Sequence, residues 1–337
     1  MRTFFGKTPQ GQDAYLYTIR RGSLQAEISD FGATLVKLLV PDSTGHVADV
    51  VLGFDSPAEY AASDTYFGAT VGRNANRIKN ACFILQNKTW ALPANEGANS
   101  LHSGPEGYQR RLWNVVRHTD DTIALQLHSP HGDQGFPGNA DITVTYRMEN
   151  DGLRIVYDAV ADGDTVMNLT HHSYFNLAGH DKAEKAMGQI LSMPARFFTP
   201  ADSESIPTGQ CRSVEGTPMD FRIPKAIGRD IDEDYDALQL QGGYDHNFEV
   251  FCNPCALLQD PESGRQMAVI TDAPGLQFYS GNYTNTRGKG GVSYPKRSGI
   301  CLETQFFPDA VNHPEWKQPF LKAGEKFHSE TKYVFHW

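Results

Sequence analysis

The feature that most restricts the fold is a two-residue hydrophobic period, repeated along the chain in short runs. In residues 142–148, Ile142, Val144, Tyr146 and Met148 alternate with Thr143, Thr145 and Arg147. Successive side chains of a strand point to opposite faces, so this pattern describes a strand with one buried face. The turn-forming Glu149-Asn150-Asp151-Gly152 comes next, and Leu153, Ile155, Tyr157 and Ala159 resume the alternation, which predicts a β-hairpin. Runs of the same kind occupy 24–28, 34–40, 47–54, 122–128, 154–160, 248–251, 266–271 and 276–280, each bounded by Gly, Pro, Asn or Asp.

Helical signals are few. Ser56-Pro57-Ala58-Glu59-Tyr60 reads as an N-cap followed by Pro at the first helical position, and 228–238 holds a second short candidate. A parallel sheet needs crossover connections, usually helices, and this chain has almost none. The expectation is therefore an all-β fold, a large antiparallel β-sandwich with few short helices. No linker, fixed-period repeat or low-complexity block interrupts residues 1–337, which read as a single β domain.

Charge narrows the partners. A formal net charge of −10 argues against nucleic acid and anionic membrane, both of which attract Lys/Arg surfaces. A neutral small molecule fits better. No stretch of about 18 uncharged apolar residues predicts a membrane span. The apolar run at Met1–Gly6 is too short for a signal peptide and meets Lys7, so a cytoplasmic location is expected. Five scattered cysteines suit a reducing compartment. Cys252-Asn253-Pro254-Cys255 has redox spacing but no second CxxC or nearby His pair, and reads as two thiols at a Pro turn. Neither a Walker loop nor a strand–GxGxxG–helix unit is present, so no nucleotide cofactor is expected.

Two clusters stand out for chemistry. In Asn168-Leu169-Thr170-His171-His172-Ser173-Tyr174-Phe175, adjacent histidines on extended backbone face opposite ways, so only one can face a given cleft. In Ile300-Cys301-Leu302-Glu303-Thr304-Gln305, a carboxylate interrupts an apolar strand, where burial is costly unless it is paired. Three loops add polar groups: Asn99-Ser100-Leu101-His102-Ser103-Gly104, Gly72-Arg73-Asn74-Ala75-Asn76-Arg77 and Gly242-Gly243-Tyr244-Asp245-His246. Oriented polar side chains among aromatic faces are what a sugar site requires. A zinc site from His102, His171 and His172 is conceivable, but no HExxH-type pair supports one and no metal is expected.

Taken in order, these pieces resemble the galactose mutarotase (aldose 1-epimerase) family. The resemblance runs from Asp30-Phe31-Gly32-Ala33-Thr34 and Val50-Val51-Leu52-Gly53-Phe54 through Tyr66-Phe67-Gly68-Ala69-Thr70-Val71-Gly72-Arg73 to Asn76-Arg77-Ile78. It continues through Gly132-Asp133-Gln134-Gly135-Phe136-Pro137-Gly138 and the 168–177 segment to Pro274-Gly275-Leu276-Gln277-Phe278. Leu302-Glu303-Thr304-Gln305 and Pro308-Asp309-Ala310-Val311-Asn312-His313-Pro314 complete it. It implies a β-sandwich with an open sugar cleft and an aldose 1-epimerase acting on a free aldohexose such as galactose or glucose, without a cofactor. It also implies that His172 is the general acid, Glu303 the general base, and that Arg77, His102, Asp245 and Gln277, with Asn76 beside them, hold sugar hydroxyls.

Two positions depart from the family pattern. His171 stands where Asn is common, and Ser103 where a glycine is common; both are expected to alter the cleft wall. Neighbouring carboxylates at Glu303 and Asp245 are expected to favour imidazolium at His172. Three other readings fit the same residues. A glycosidase could pair Glu303 with Asp245 or Asp309. A non-catalytic sugar-binding or regulatory protein could share the scaffold, and a sugar-phosphate epimerase could use Arg73 and Arg77. Either a monomer or a homodimer is compatible with the sequence.

Overall fold

A computed structural model describes residues 1–337. Its largest sheet has nine strands, centred on the hairpin Ala140–Met148 and Gly152–Ala161 and the C-terminal strand Lys326–His336. The hairpin forms where the alternation predicts it. Ile142, Val144, Tyr146 and Met148 are buried, and Ile155 and Tyr157 lie opposite Tyr146 and Val144 in the antiparallel register. Facing it is a six-stranded sheet that runs Tyr174–Phe175, Ile300–Gln305, Gly275–Tyr279, Asp245–Glu249, Phe197–Thr199 and Arg212–Ser213. The five-stranded meander Arg2–Lys7 to Val47–Asp49 adds a third sheet.

Every named strand pair is antiparallel. A core of 55 buried residues, from Tyr17 to Phe335, joins the inner faces of all three sheets. Phe175 of the six-stranded sheet packs on Tyr333 of the nine-stranded sheet with ring centroids 4.9 Å apart, the kind of inter-sheet contact that defines a sandwich.

Only two α-helices form, each of six residues. Pro57–Ala62 begins as expected: the Ser56 hydroxyl accepts the Glu59 amide, and Glu59 reaches back to the Asp55 amide. The second departs from expectation. Residues 228–238 do not form one helix; Ile227–Arg229 is a 3-10 turn, and the α-helix is Asp236–Gln241. Between them Asp230 is held by Arg229 and Lys225 and Ile231 is buried, which pins the backbone in turns.

The run 47–54 also stops early as a strand, at Asp49. The Asp49 carboxylate accepts the Leu38 and Val51 amides and takes the Lys289 ammonium, so the chain bends out of the ladder. The strand expected at 248–251 lies at Asp245–Glu249. That shift matters, because it places Asp245 inside the six-stranded sheet.

Candidate active site

The register of the six-stranded sheet assembles the cleft floor. Residues directly opposite one another in antiparallel strands share a face. Glu303 lies opposite Gln277, and Gln277 opposite Asn247; one row along, Tyr174, Cys301, Tyr279 and Asp245 line up in the same way. Ile300 and Leu302 take the alternate face and enter the main core. The odd polar residue in an apolar strand is thus the one turned toward the cleft.

His172 follows the short strand Thr170–His171 and is gripped by its backbone. Its amide donates to Ala69 O at 3.0 Å, and its carbonyl accepts from Gly68 at 2.9 Å. Gly68 sits at φ +61, where a Cβ would meet Leu35 O at 2.1 Å, so only glycine allows this approach. The His172 ring stacks between aromatic neighbours, Tyr174 at 5.1 Å and Tyr66 at 5.7 Å, both tilted by 20°. Cys301 Sγ lies 3.6 Å from its Nδ1.

Asn76 and His102 are laced together. Both adopt positive φ, +59° and +50°, in the sparsely populated left-handed region. The Asn76 amide donates to His102 Nδ1 at 3.1 Å, and the His102 amide donates to Asn76 O at 3.0 Å. An Nδ1 that accepts a backbone N–H carries no proton, so the proton of the neutral ring sits on Nε2. Burial, with His172 and Arg77 nearby, holds the His102 pKa well below the usual imidazole range. His102 therefore offers the cleft a fixed Nε2–H donor. Asn76 Oδ1 accepts the Arg77 amide, leaving its NH₂ group free.

Arg77 spans the carboxylates. Its Nε and Nη2 donate to Glu96 at 2.5 and 2.8 Å, and its Nη1 stands 4.0 Å from Asp245 Oδ2. Burial pulls its pKa down, but Asp245 and Glu96 together outweigh that effect. Gln277 donates to Asp245 Oδ1 at 2.6 Å and lies behind it, reaching the cleft through that carboxylate.

The Glu303–His172 pair is the centre of the arrangement. Glu303 Oε1 and His172 Nε2 are 3.7 Å apart, too far for a hydrogen bond and close enough to serve two oxygens of one small molecule. Burial raises the Glu303 pKa well above the carboxylate range, Asp245 raises it further, and Arg77 opposes. Burial lowers that of His172 to about 4, partly offset by a hydrogen bond to its own backbone. This corrects the expectation of an imidazolium at His172. Desolvation is the largest influence on each partner, and it favours the uncharged form of both.

The cleft encloses about 210 Å³, room for one sugar ring, and His172, Glu303, His102, Arg77, Asn76 and Asp245 all line it. The ligating atoms of His102, His172 and Glu303 lie within 4.8 Å of one another, a spacing that suits a metal ion. The hydrogen bond from Asn76 works against it, because it keeps the proton on the very nitrogen a metal would need.

Four expectations are corrected by placement. His171 faces the core, edge-on to Tyr146 at 5.7 Å with Nδ1 3.0 Å from Ser173 Oγ, and is absent from the cleft wall because adjacent extended residues point oppositely. Ser103 is buried too, its hydroxyl accepting the Asn74 amide at 2.7 Å and donating to Asn74 O at 3.0 Å. Arg73 is 1% exposed and spends its guanidinium on Pro137 O, Gly138 O, Thr165 and Ser129, so it cannot meet a phosphate. Asp309 is bound to the Lys79 amide and Asn312 and does not line the cleft, so it is no partner for Glu303.

Tyr66, Tyr174 and Glu96 line the cleft and were not singled out in the sequence. The aromatic pair sits within recognisable motifs, but nothing in a period-two pattern marks which tyrosine turns inward. Glu96 comes from a turn six residues before His102, where a carboxylate looks like ordinary surface.

The Aldose 1-epimerase family model matches residues 15–334. The galactose mutarotase of Sus scrofa is 39% identical over 341 residues, covering 99% of this chain and 98% of that protein. The aldose 1-epimerase of Escherichia coli K12 is 38% identical, covering 97% and 96%. Among solved structures, an aldose epimerase homologue from C. elegans superposes with a TM-score of 0.89 at 31% identity, covering 96% of this chain and 99% of its own. A galactose 1-epimerase from Lactobacillus acidophilus gives 0.87 at 28% identity, covering 100% and 98%. A family match across nearly the whole chain, with relatives this similar along their full length, shows that the chain belongs to the aldose 1-epimerase family.

Proposed function

We propose that the protein interconverts the α and β anomers of a free, neutral aldohexose, galactose or glucose, by acid–base opening and reclosure of the ring. The observation that carries this reading is the buried Glu303–His172 pair, a carboxyl and an imidazole that face each other across 3.7 Å. In the reactive microstate the proton is on His172 and Glu303 is a carboxylate. Glu303 takes the proton of the anomeric hydroxyl while His172 Nε2–H protonates the ring oxygen; the C1–O5 bond breaks and C1 becomes an aldehyde. The pair is then neutral, the form that burial favours. Rotation about C1–C2 presents the other face of the aldehyde. Closure returns the Glu303 proton to O1 and the O5 proton to His172. Atoms and protons balance, with no net change in the enzyme.

The remaining residues hold the sugar. His102 Nε2–H and Arg77 Nη1 donate, Asp245 accepts, and the side-chain NH₂ of Asn76 donates, which together fix which oxygens meet the acid and the base. Positioned proton transfer is worth roughly 10²–10⁴-fold per group, ample for a reaction that already proceeds slowly in water. The core that runs from Tyr17 to Phe335 supports the chain working as one β-sandwich unit. No helix is long and apolar enough to cross a membrane, and all five cysteines are free thiols; the reading places the enzyme in the cytoplasm.

Optical rotation of freshly dissolved α-galactose and α-glucose, followed with and without the protein, is the test. Acceleration of both approaches to equilibrium is expected, with no aglycone released from aryl glycosides. Failure to accelerate either sugar would overturn the reading.

A further inference from the structure

Outside the reacting pair and the groups that hold the sugar, Glu96 is a charged side chain at the cleft that the acid–base chemistry leaves unused. It lies in a turn closed by the bond from its amide to Asn99 O, and its side chain leans into the cleft rim at 38% exposure. Both its oxygens engage Arg77, at Nε and Nη2. That edge of a guanidinium is the planar fork that binds carboxylates and phosphates with two parallel hydrogen bonds. Three N–H groups remain for other partners, two on Nη1 and one on Nη2, on the edge that faces Asp245. The cleft lining thus carries four carboxyls, Asp64, Glu96, Asp245 and Glu303, against the single cation Arg77.

We propose that Glu96 is a specificity-determining residue: it occupies one anion-binding edge of Arg77, offsets the guanidinium charge and adds negative charge at the rim, so that the cleft admits uncharged aldoses and rejects anionic ones. This deepens the acid–base reading and rests on it. An aldose bearing a carboxylate meets a guanidinium whose charge Glu96 already offsets, with Asp245 4.0 Å from its open edge, and like charge at the rim opposes its binding in a site of reduced dielectric. A neutral aldose meets an Arg77 already fixed in place by Glu96, with Nη1 4.0 Å from Asp245 Oδ2. Glu96 acts through Arg77 and touches no reacting atom.

The experiment compares galactose with galacturonate, which share ring stereochemistry and differ in a C6 carboxylate. Polarimetric kcat and KM, with calorimetric Kd for each sugar, are measured for the wild type, E96Q, E96A and E96D. The wild type is expected to disfavour galacturonate by at least about tenfold in kcat/KM. E96Q and E96A are expected to raise the galacturonate-to-galactose ratio by about tenfold, mostly through KM and Kd, the gain shrinking as salt is added. E96D keeps the charge and should stay within about threefold of the wild-type ratio.

A ratio unmoved in both E96Q and E96A, or a wild type that treats the two sugars alike, overturns the inference. Absence of galactose turnover in the wild type would instead sink the acid–base reading. The Kd ratios would still decide the role of Glu96.

Discussion

Glu303 Oε1 and His172 Nε2 face each other at 3.7 Å with side chains 3% and 7% exposed, and burial presses both toward their uncharged forms. A carboxyl and an imidazole that share one proton have two microstates. One is the charged acid–base pair that begins ring opening, and the other is the neutral pair that ends it. The pair titrates as a unit, so its limits belong to both residues together.

The pH profile follows from those limits. As pH falls through about 4, His172 takes a second proton while Glu303 is still protonated, and the base is lost. As pH rises through the raised Glu303 value the single proton leaves, and the acid is lost. Polarimetric kcat/KM should therefore give a bell with its acid limb near pH 4 and its alkaline limb set by the raised Glu303 value. An acid limb near 6.5, the value of a free imidazole, would show that His172 titrates as an exposed group.

Removing either partner should abolish turnover without unfolding the protein. Glu303→Gln and His172→Asn are each expected to lower kcat by roughly 10²–10⁴-fold with far smaller changes in KM. Glu303 Oε2 is buried without a partner, so Glu303→Gln should melt no lower than the wild type. Near-wild-type rates in either folded variant would remove the pair from the mechanism.

Arg77 and Arg73 lie four residues apart and should fail differently. Arg77→Ala takes a donor from the cleft and is expected to raise KM for galactose about tenfold or more. Arg73→Ala strips the partners from Ser129 O, Pro137 O and Gly138 O in the interior, and should cost about 4 kcal/mol of stability. Its folded fraction should keep the wild-type KM. Urea midpoints and KM values for the two variants decide this, and reversed phenotypes would contradict the placement.

How much of this was legible in the sequence depends on the scale of the signal. The hairpin of 140–161 follows from a two-residue period and a four-residue turn, both local, and the structure reproduces them. Glu303 and His172 were visible as polar residues in apolar or extended segments. Their protonation was not, because it depends on desolvation by neighbours such as the Tyr66 ring, which reaches His172 from more than a hundred residues away in sequence. The loop at 72–77 shows the same limit. Its two arginines look equivalent as text, and only the path of the backbone sends one inside and the other to the cleft. Glu96 has no sequence signal at all, since its function comes from the guanidinium it meets.

His171 provides the last test, because the sequence made it a candidate for altered sugar preference and the structure turns it into the core against Tyr146. His171→Asn should leave the ratio of galactose to glucose kcat/KM within about twofold of wild type. It should lower Tm at neutral pH through lost packing. The pH dependence of that deficit has a definite sign. Burial holds the folded pKa of His171 at about 3 against the ordinary imidazole value of 6.5, so below about pH 6.5 the unfolded chain takes up a proton that the folded chain refuses. Stability drawn from a neutral His171 is complete above 6.5 and drains away as pH falls toward 3. The variant lacks this loss, so its Tm deficit should narrow from neutral pH to about pH 5. Calorimetric melts of both proteins across that range check it, and a deficit that widens on acidification would mean that His171 is already charged in the fold.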